Sequence, residues 1–229
     1  MDRGSPQGDV LHDPLPPDET GAESVLRALR DAGVDARDVR LAGNVDALAD
    51  RLLDRADLFP GPRLSSALTH LTGATMRERA RALCERSFLL LDVAALADEA
   101  ILRCSTGALC GERERPFRAW SERLLREAAR WAIDAPEFQL YRSGPTAPQR
   151  ERILGELSRL TNHLDVAARQ VVWLQLVERR DLQSIVAETG MPRERAEWIL
   201  RTVLEEAARI VSKDGSRDGA DGRQEVEHE

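Results

Sequence analysis

Leu182–Ala207 reads LQSIVAETGMPRERAEWILRTVLEEA. Leu182, Ile185 and Val186 share one face of a short helix, Gly190 ends it in a tight turn, and Pro192 opens a longer helix carrying Ile199, Leu200, Val203, Leu204 and Ala207. Two helices joined by a short turn containing Gly follow the helix-turn-helix plan. A Gly between amphipathic helices also occurs in ordinary three-helix bundles. The weight comes from the set: a preceding helix, Ile185 five residues before Gly190, and Ala196 and Ile199 six and nine residues after it. Apolar residues at those positions pack the two helices at an angle that exposes the second. The reading therefore favours helix-turn-helix over a plain bundle.

Working outward, Ile153, Leu157, Leu160 and Leu164 mark one helix and Val171, Leu174 and Val177 the next, so residues 150–211 form one helical block. Before it, residues 136–149 hold Pro136, Gly144, Pro145 and Pro148 and read as a linker. Residues 62–135 form a second helical block. Its last helix repeats Phe117, Trp120, Leu124, Ala128 and Trp131 at steps of three or four, with Pro116 at its start. Phe117 and Trp120 at this spacing read as core residues. The run from Leu89 to Leu102 is nearly continuous in apolar residues, as expected for helices buried on more than one side. Residues 21–61 hold two short helical stripes, Val25, Leu26 and Leu29, then Val45, Leu48, Leu52 and Leu53. This block forms a hairpin of its own or packs on the next one. Residues 1–20 and 212–229 carry too little apolar surface to fold and are expected to be disordered. The expected fold is all-α: two small helical domains joined by a flexible linker, the C-terminal one a helix-turn-helix, with a short helical N-terminal block.

The chain has 229 residues, 4% of them aromatic and 32% charged, with a formal net charge of −7. The acidity sits at the ends: residues 1–61 carry net −6 and residues 212–229 net −3, whereas residues 62–135 carry +2 and residues 150–211 are neutral. General attraction to nucleic acid is thus weak, and any such contact must be local. No stretch approaches the roughly 20 apolar residues of a membrane span, and no secretory leader is visible. Three cysteines without close pairing point to a reducing cytoplasm and no disulfide framework. The absence of a Cys-x-x-Cys and the scatter of the four histidines argue against zinc, so no metal or cofactor is expected. The chain also lacks a Gly-rich phosphate loop, an H-E-x-x-H and a G-x-S-x-G, so it is not read as an enzyme.

The order of these blocks resembles the two conserved domains of bacterial RNA polymerase sigma factors, most nearly the extracytoplasmic-function type. Asp92–Arg103, DVAALADEAILR, is similar to the acidic helix that the family writes DAEDLVQEVFLR. Pro116-Phe117-Arg118-Ala119-Trp120 matches the Phe-x-x-Trp opening of the next helix. Leu164–Val172 stands where the family has LPxxxRxVx, with Arg169 and Val171 retained, and Ile185–Gly190 stands for IAExLG. The likeness spans about residues 65–211. It implies that residues 62–135 bind core RNA polymerase and open the −10 element, and that residues 150–211 read the −35 element.

By that resemblance Asp98, Glu99 and Arg103 would contact polymerase, and Arg193, Arg195, Glu197, Trp198 and Arg201, with Arg123, Arg126 and Arg130, would face promoter DNA. An acidic helix bearing Asp98 and Glu99 can dock on a basic or coiled-coil surface of a large partner with Leu96 and Leu102 turned to the core; the plainer alternative is a solvated polar stripe. Trp198 is either exposed or, as the reading prefers, packed on the preceding helix. The sequence departs from the family where Glu127 and Trp131 replace an Asn and an Asp, and where Glu197 and Ile199 replace a Lys and an Arg. Two functions follow. The first is a divergent sigma factor that binds core RNA polymerase and directs promoter-specific initiation in the cytoplasm. The second is a sigma-like adaptor that binds polymerase or a regulator without reading promoter DNA. The resemblance also leaves room for an anti-sigma factor as partner.

Overall fold

The computed structural model describes residues 45–135, Phe138 and 148–221, together with Arg27, Arg30 and Gly33; in 148–221 side chains are described for residues 154–210 and Ser212. Among the described residues there are eight α-helices and no strand. They are α1 (Val45–Leu53), α2 (Gly61–Ser87), α3 (Val93–Leu109), α4 (Phe117–Ala132), α5 (Pro148–Asn162), α6 (Val166–Leu176), α7 (Leu182–Thr189) and α8 (Arg193–Asp221). No helix among them is long and apolar enough to cross a membrane.

The first four helices share one core. Leu48, Leu52 and Leu53 of α1 pack with Leu64, Leu68 and Met76 of α2, Leu96 and Ile101 of α3, and Phe117, Trp120 and Leu125 of α4. The second stripe of the N-terminal block therefore packs on the next block. The first stripe, on Val25, Leu26 and Leu29, lies outside the described residues, as do residues 1–20 and the Gly144-Pro145 centre of the expected linker. Both edges of that linker are structured. Phe138 is buried in the first core and its carbonyl accepts the Asp92 N–H at 2.7 Å, while α5 already begins at Pro148.

Local chemistry sets the helix starts. Asp92 caps α3, its carboxylate accepting the N–H groups of Ala94 and Ala95 at 2.9 and 3.0 Å. Pro116, preceding α4, offers no side-chain cap. That role passes to Asp50 on α1, whose carboxylate accepts the Phe117 N–H at 3.1 Å and pairs with Arg113 at 2.9 Å. Arg113 and Arg115 also both reach Asp54.

Helices α5 to α8 build a second core of Leu157, Val171, Val172, Leu174, Ile185, Met191, Ala196, Ile199 and Val203. The backbone of α8 continues helically to Asp221, past Val211 where the sequence reading closes the block. The two cores meet at the α2–α3 junction. Leu90, itself 3% exposed, donates its N–H to Asn162 Oδ1 at 2.7 Å, and its carbonyl accepts Asn162 Nδ2 at 3.0 Å and the Ser158 hydroxyl. Two residues earlier, Phe88 takes a left-handed φ of 52°, and its ring meets Trp173 edge-on at 6.4 Å. A bulky residue in that backbone region is costly, and the aromatic contact is what accompanies it here.

All three cysteines are free. Burial pushes the Cys84 and Cys104 thiols up to about 12, with Glu85 adding to the shift at Cys84 and Arg123 opposing it at Cys104, whereas Cys110 is exposed. Thiolate is the reactive form, so the native chain at pH 8 should consume one equivalent of Ellman's reagent promptly and three after denaturation. Prompt consumption of a second equivalent by the native chain would contradict this packing. The same shifts carry a sign. Above the ordinary thiol pKa of 9.0 the unfolded chain loses these protons first, so stability falls as pH rises between 9 and about 12.

Candidate nucleic-acid and partner interface

The α7–α8 pair is positioned by its turn. Asp181 caps α7 through the Ser184 N–H at 2.8 Å, and this bond holds its carboxyl below the ordinary value. Gly190 closes α7 in the left-handed region at φ 66°, where a Cβ is strained, and its N–H donates to the Val186 carbonyl at 3.0 Å. Ile185 and Ala196 are fully buried against each other's core and Ile199 nearly so. The opposite side of α8 is therefore turned to solvent.

That side carries Glu194, Arg195, Glu197, Trp198 and Arg201, all exposed, as is Arg193. Trp198 is 57% exposed, which corrects the expectation that it packs on the preceding helix. The reason is register: Ala196, Ile199 and Val203 take the inward stripe, and Trp198 falls off it. Arg193 pairs with Glu197 at 2.8 Å, which holds its guanidinium pKa above the ordinary value. Arg195 and Arg201 make no ion pair with any described residue, so two guanidiniums and one indole are available on this surface.

On α4 the expected basic face divides. Arg123 is held by Glu127 at 2.6 Å and by Glu114 at 2.9 Å, so its charge is largely cancelled. Arg126 and Arg130 are exposed and unpaired among the described residues. Arg126 lines a cleft of about 310 Å³ between α2 and α4, together with Arg79, Arg86 and Arg118. The sequence reading missed these three. Their signal was available: Arg79 and Arg86 stand seven residues apart, and Arg118 and Arg126 eight apart, about two turns on one helix face in each case.

On α3, Asp98 is exposed while Glu99 and Arg103 are joined at 2.7 Å in an i,i+4 pair. The Arg103 guanidinium lies 5.8 Å from the centroid of the Trp131 ring. Trp131, 50% exposed, leaves the buried stripe of Phe117, Trp120, Leu124 and Ala128 and packs edge-on against Phe138 at 5.3 Å. Leu96 is buried as expected, but Leu102 is 51% exposed, which corrects its assignment to the core. Asp98, Leu102 and Leu109 thus form a mixed acidic and apolar stripe, better suited to a protein partner than a purely solvated face. The structure places these residues in the first unit and the Arg193–Arg201 group in the second. Compared with protein-family models, curated proteins and solved structures, the chain matches none.

Proposed function

We propose that the chain is a divergent sigma factor: it binds core RNA polymerase through the α3 stripe of Asp98, Leu102 and the Glu99–Arg103 pair, and reads promoter DNA with the N-terminal turns of α8. The reading assigns it a binding role in the cytoplasm, without catalysis or cofactor. The observation that carries it is the α7–Gly190–α8 arrangement, in which Ile185, Ala196 and Ile199 fix two helices and leave Arg195, Trp198 and Arg201 facing outward. A helix held this way can enter a major groove with its first turns nearest the bases. Arg195 then serves a base edge or phosphate and Arg201 a phosphate.

One observation favours the second reading, a sigma-like adaptor that binds polymerase or a regulator without reading DNA. Glu197 cancels Arg193, and Glu114 and Glu127 cancel Arg123, so two of the expected cationic contacts are already occupied. DNA affinity depends on the number of phosphates neutralised.

A run-off transcription assay with core polymerase separates the two. For a sigma factor, Arg195→Ala with Arg201→Ala should abolish promoter-specific transcript and lower the slope of log affinity against log salt by about two. Glu197→Gln should raise affinity, because it removes a repulsive charge and frees Arg193. Polymerase binding with neither transcript nor salt-dependent DNA affinity in the wild type would leave the adaptor reading.

A further inference from the structure

A strongly cationic cleft lies between α2 and α4 of this acidic chain. Its rim holds Arg79, Arg86, Arg118 and Arg126 against one carboxylate, Glu122, over a floor of Ala82, Leu83 and Leu125. The four cations are not equivalent. Arg79 is half-buried and fixed, with Nη2 on Asp46 at 2.5 Å and Nη1 donating to the Ser121 hydroxyl oxygen at 3.1 Å. It ties α1, α2 and α4 together, and Asp46 offsets its charge, so it shapes the cleft wall without adding a free cation. Arg118 pairs with Glu122 at 3.2 Å, an exposed i,i+4 contact that contributes little and exchanges readily. Arg86 and Arg126 are exposed and carry no hydrogen bond or ion pair among the described residues. Two free guanidiniums thus stand on facing helices, and a third is releasable, beside an Arg79 already paired with Asp46.

Such a constellation suits a compact, multiply charged oxyanion. Guanidinium forks match phosphoryl oxygens in pairs, and charge-assisted bonds of this kind are the strong ones. The apolar floor excludes water on one side and so strengthens each contact. A volume of about 310 Å³ is at the small end of ligand pockets and fits a chain of phosphoryl groups or a nucleotide. We propose that this cleft is a binding site for a polyphosphate-bearing small molecule, with Arg86 and Arg126 as the primary ligands, Arg118 recruited from Glu122, and Arg79, held by Asp46, fixing the wall between α2 and α4. The inference shares Arg126 with the promoter-facing residues that the family resemblance implies, but uses no residue of α7 or α8, on which the promoter-reading proposal rests.

The test is calorimetric titration of the full chain with inorganic tripolyphosphate at low salt, and with a 12-nucleotide single strand of DNA. Saturable binding of tripolyphosphate is expected, weakened at least tenfold in an Arg86→Gln/Arg126→Gln double variant. An Arg195→Gln/Arg201→Gln double variant removes the same charge elsewhere and should change that affinity less than twofold. All four residues are exposed and unpaired, so both variants should keep the wild-type helical spectrum and melting point, which circular dichroism checks. Absence of saturable tripolyphosphate binding overturns the proposal. So does equal weakening in both double variants, which would mean diffuse charge attraction. Strand binding that depends on Arg86 and Arg126 but resists competition by tripolyphosphate also overturns it, because the cleft would then track a polymer backbone.

Discussion

Replacing Trp120 with alanine should destabilise the first helical unit by about 3–5 kcal/mol, the range for emptying a buried large aromatic site. Trp120 is almost fully buried, and its ring lies against α3 at Gly107, where an added Cβ would come within 3.0 Å of Cζ2. Gly107 thus closes the site on the α3 side, which limits relaxation into the vacancy. Losses of this size approach the whole stability of an ordinary domain. Urea denaturation followed by circular dichroism measures the effect, and a loss below about 1 kcal/mol would mean that the ring is not a core element. Gly107→Ala is the companion variant: it presses a methyl group onto the same ring and should cost about 1–3 kcal/mol through overpacking.

The second large effect is expected where the two units meet. Asn162→Ala removes both the acceptor for the Leu90 N–H and one donor to its carbonyl, in a place that water does not reach. A buried N–H without a partner costs about 1–3 kcal/mol, while the carbonyl keeps the Ser158 hydroxyl. Adding Ser158→Ala strips that last donor, and the pair of changes should cost about 2–4 kcal/mol, with less than additive behaviour because both side chains serve one residue. The expected readout is a thermal transition that separates into two, together with faster proteolysis within residues 136–149. A single transition at an unchanged midpoint would show that the Leu90 contact does not couple the units.

What the sequence carried and what it did not follow from the range of each interaction. The helical character of the chain was legible because Phe117, Trp120, Leu124 and Ala128 repeat at the helix period, and because Ile185, Ala196 and Ile199 space a turn. Leu102 falls outside its expected place because the apolar run from Leu89 to Leu102 draws it inward, whereas Asp98, one turn before it, marks that face as solvent-exposed. Trp198 was misplaced for a related reason. Its neighbours Ile199 and Leu200 compete for the same inward arc, and only the register of the whole helix against Ile185 decides among them. The Arg193–Glu197 and Arg123–Glu127 pairs were written in the i,i+4 spacing, yet counted as net charge they stayed invisible as cancelled contacts. The clamp on Leu90 joins residues 72 positions apart and has no local signature at all.

The borrowed cap at Phe117 bears on the order in which the first unit assembles. Asp50 and Phe117 are 67 residues apart, so the start of α4 is fixed by a carboxylate whose own helix must already be in place. Closing a loop of that length costs chain entropy, which only the accompanying burial of Leu48, Leu52 and Phe117 offsets. Helices α2 and α3, joined by a short connection and capped from within by Asp92, can pair before that closure. The N-terminal turn of α4 thus depends on a contact made across the unit, and a fragment cut at Pro62 would contain the helix but not the carboxylate that defines where it begins.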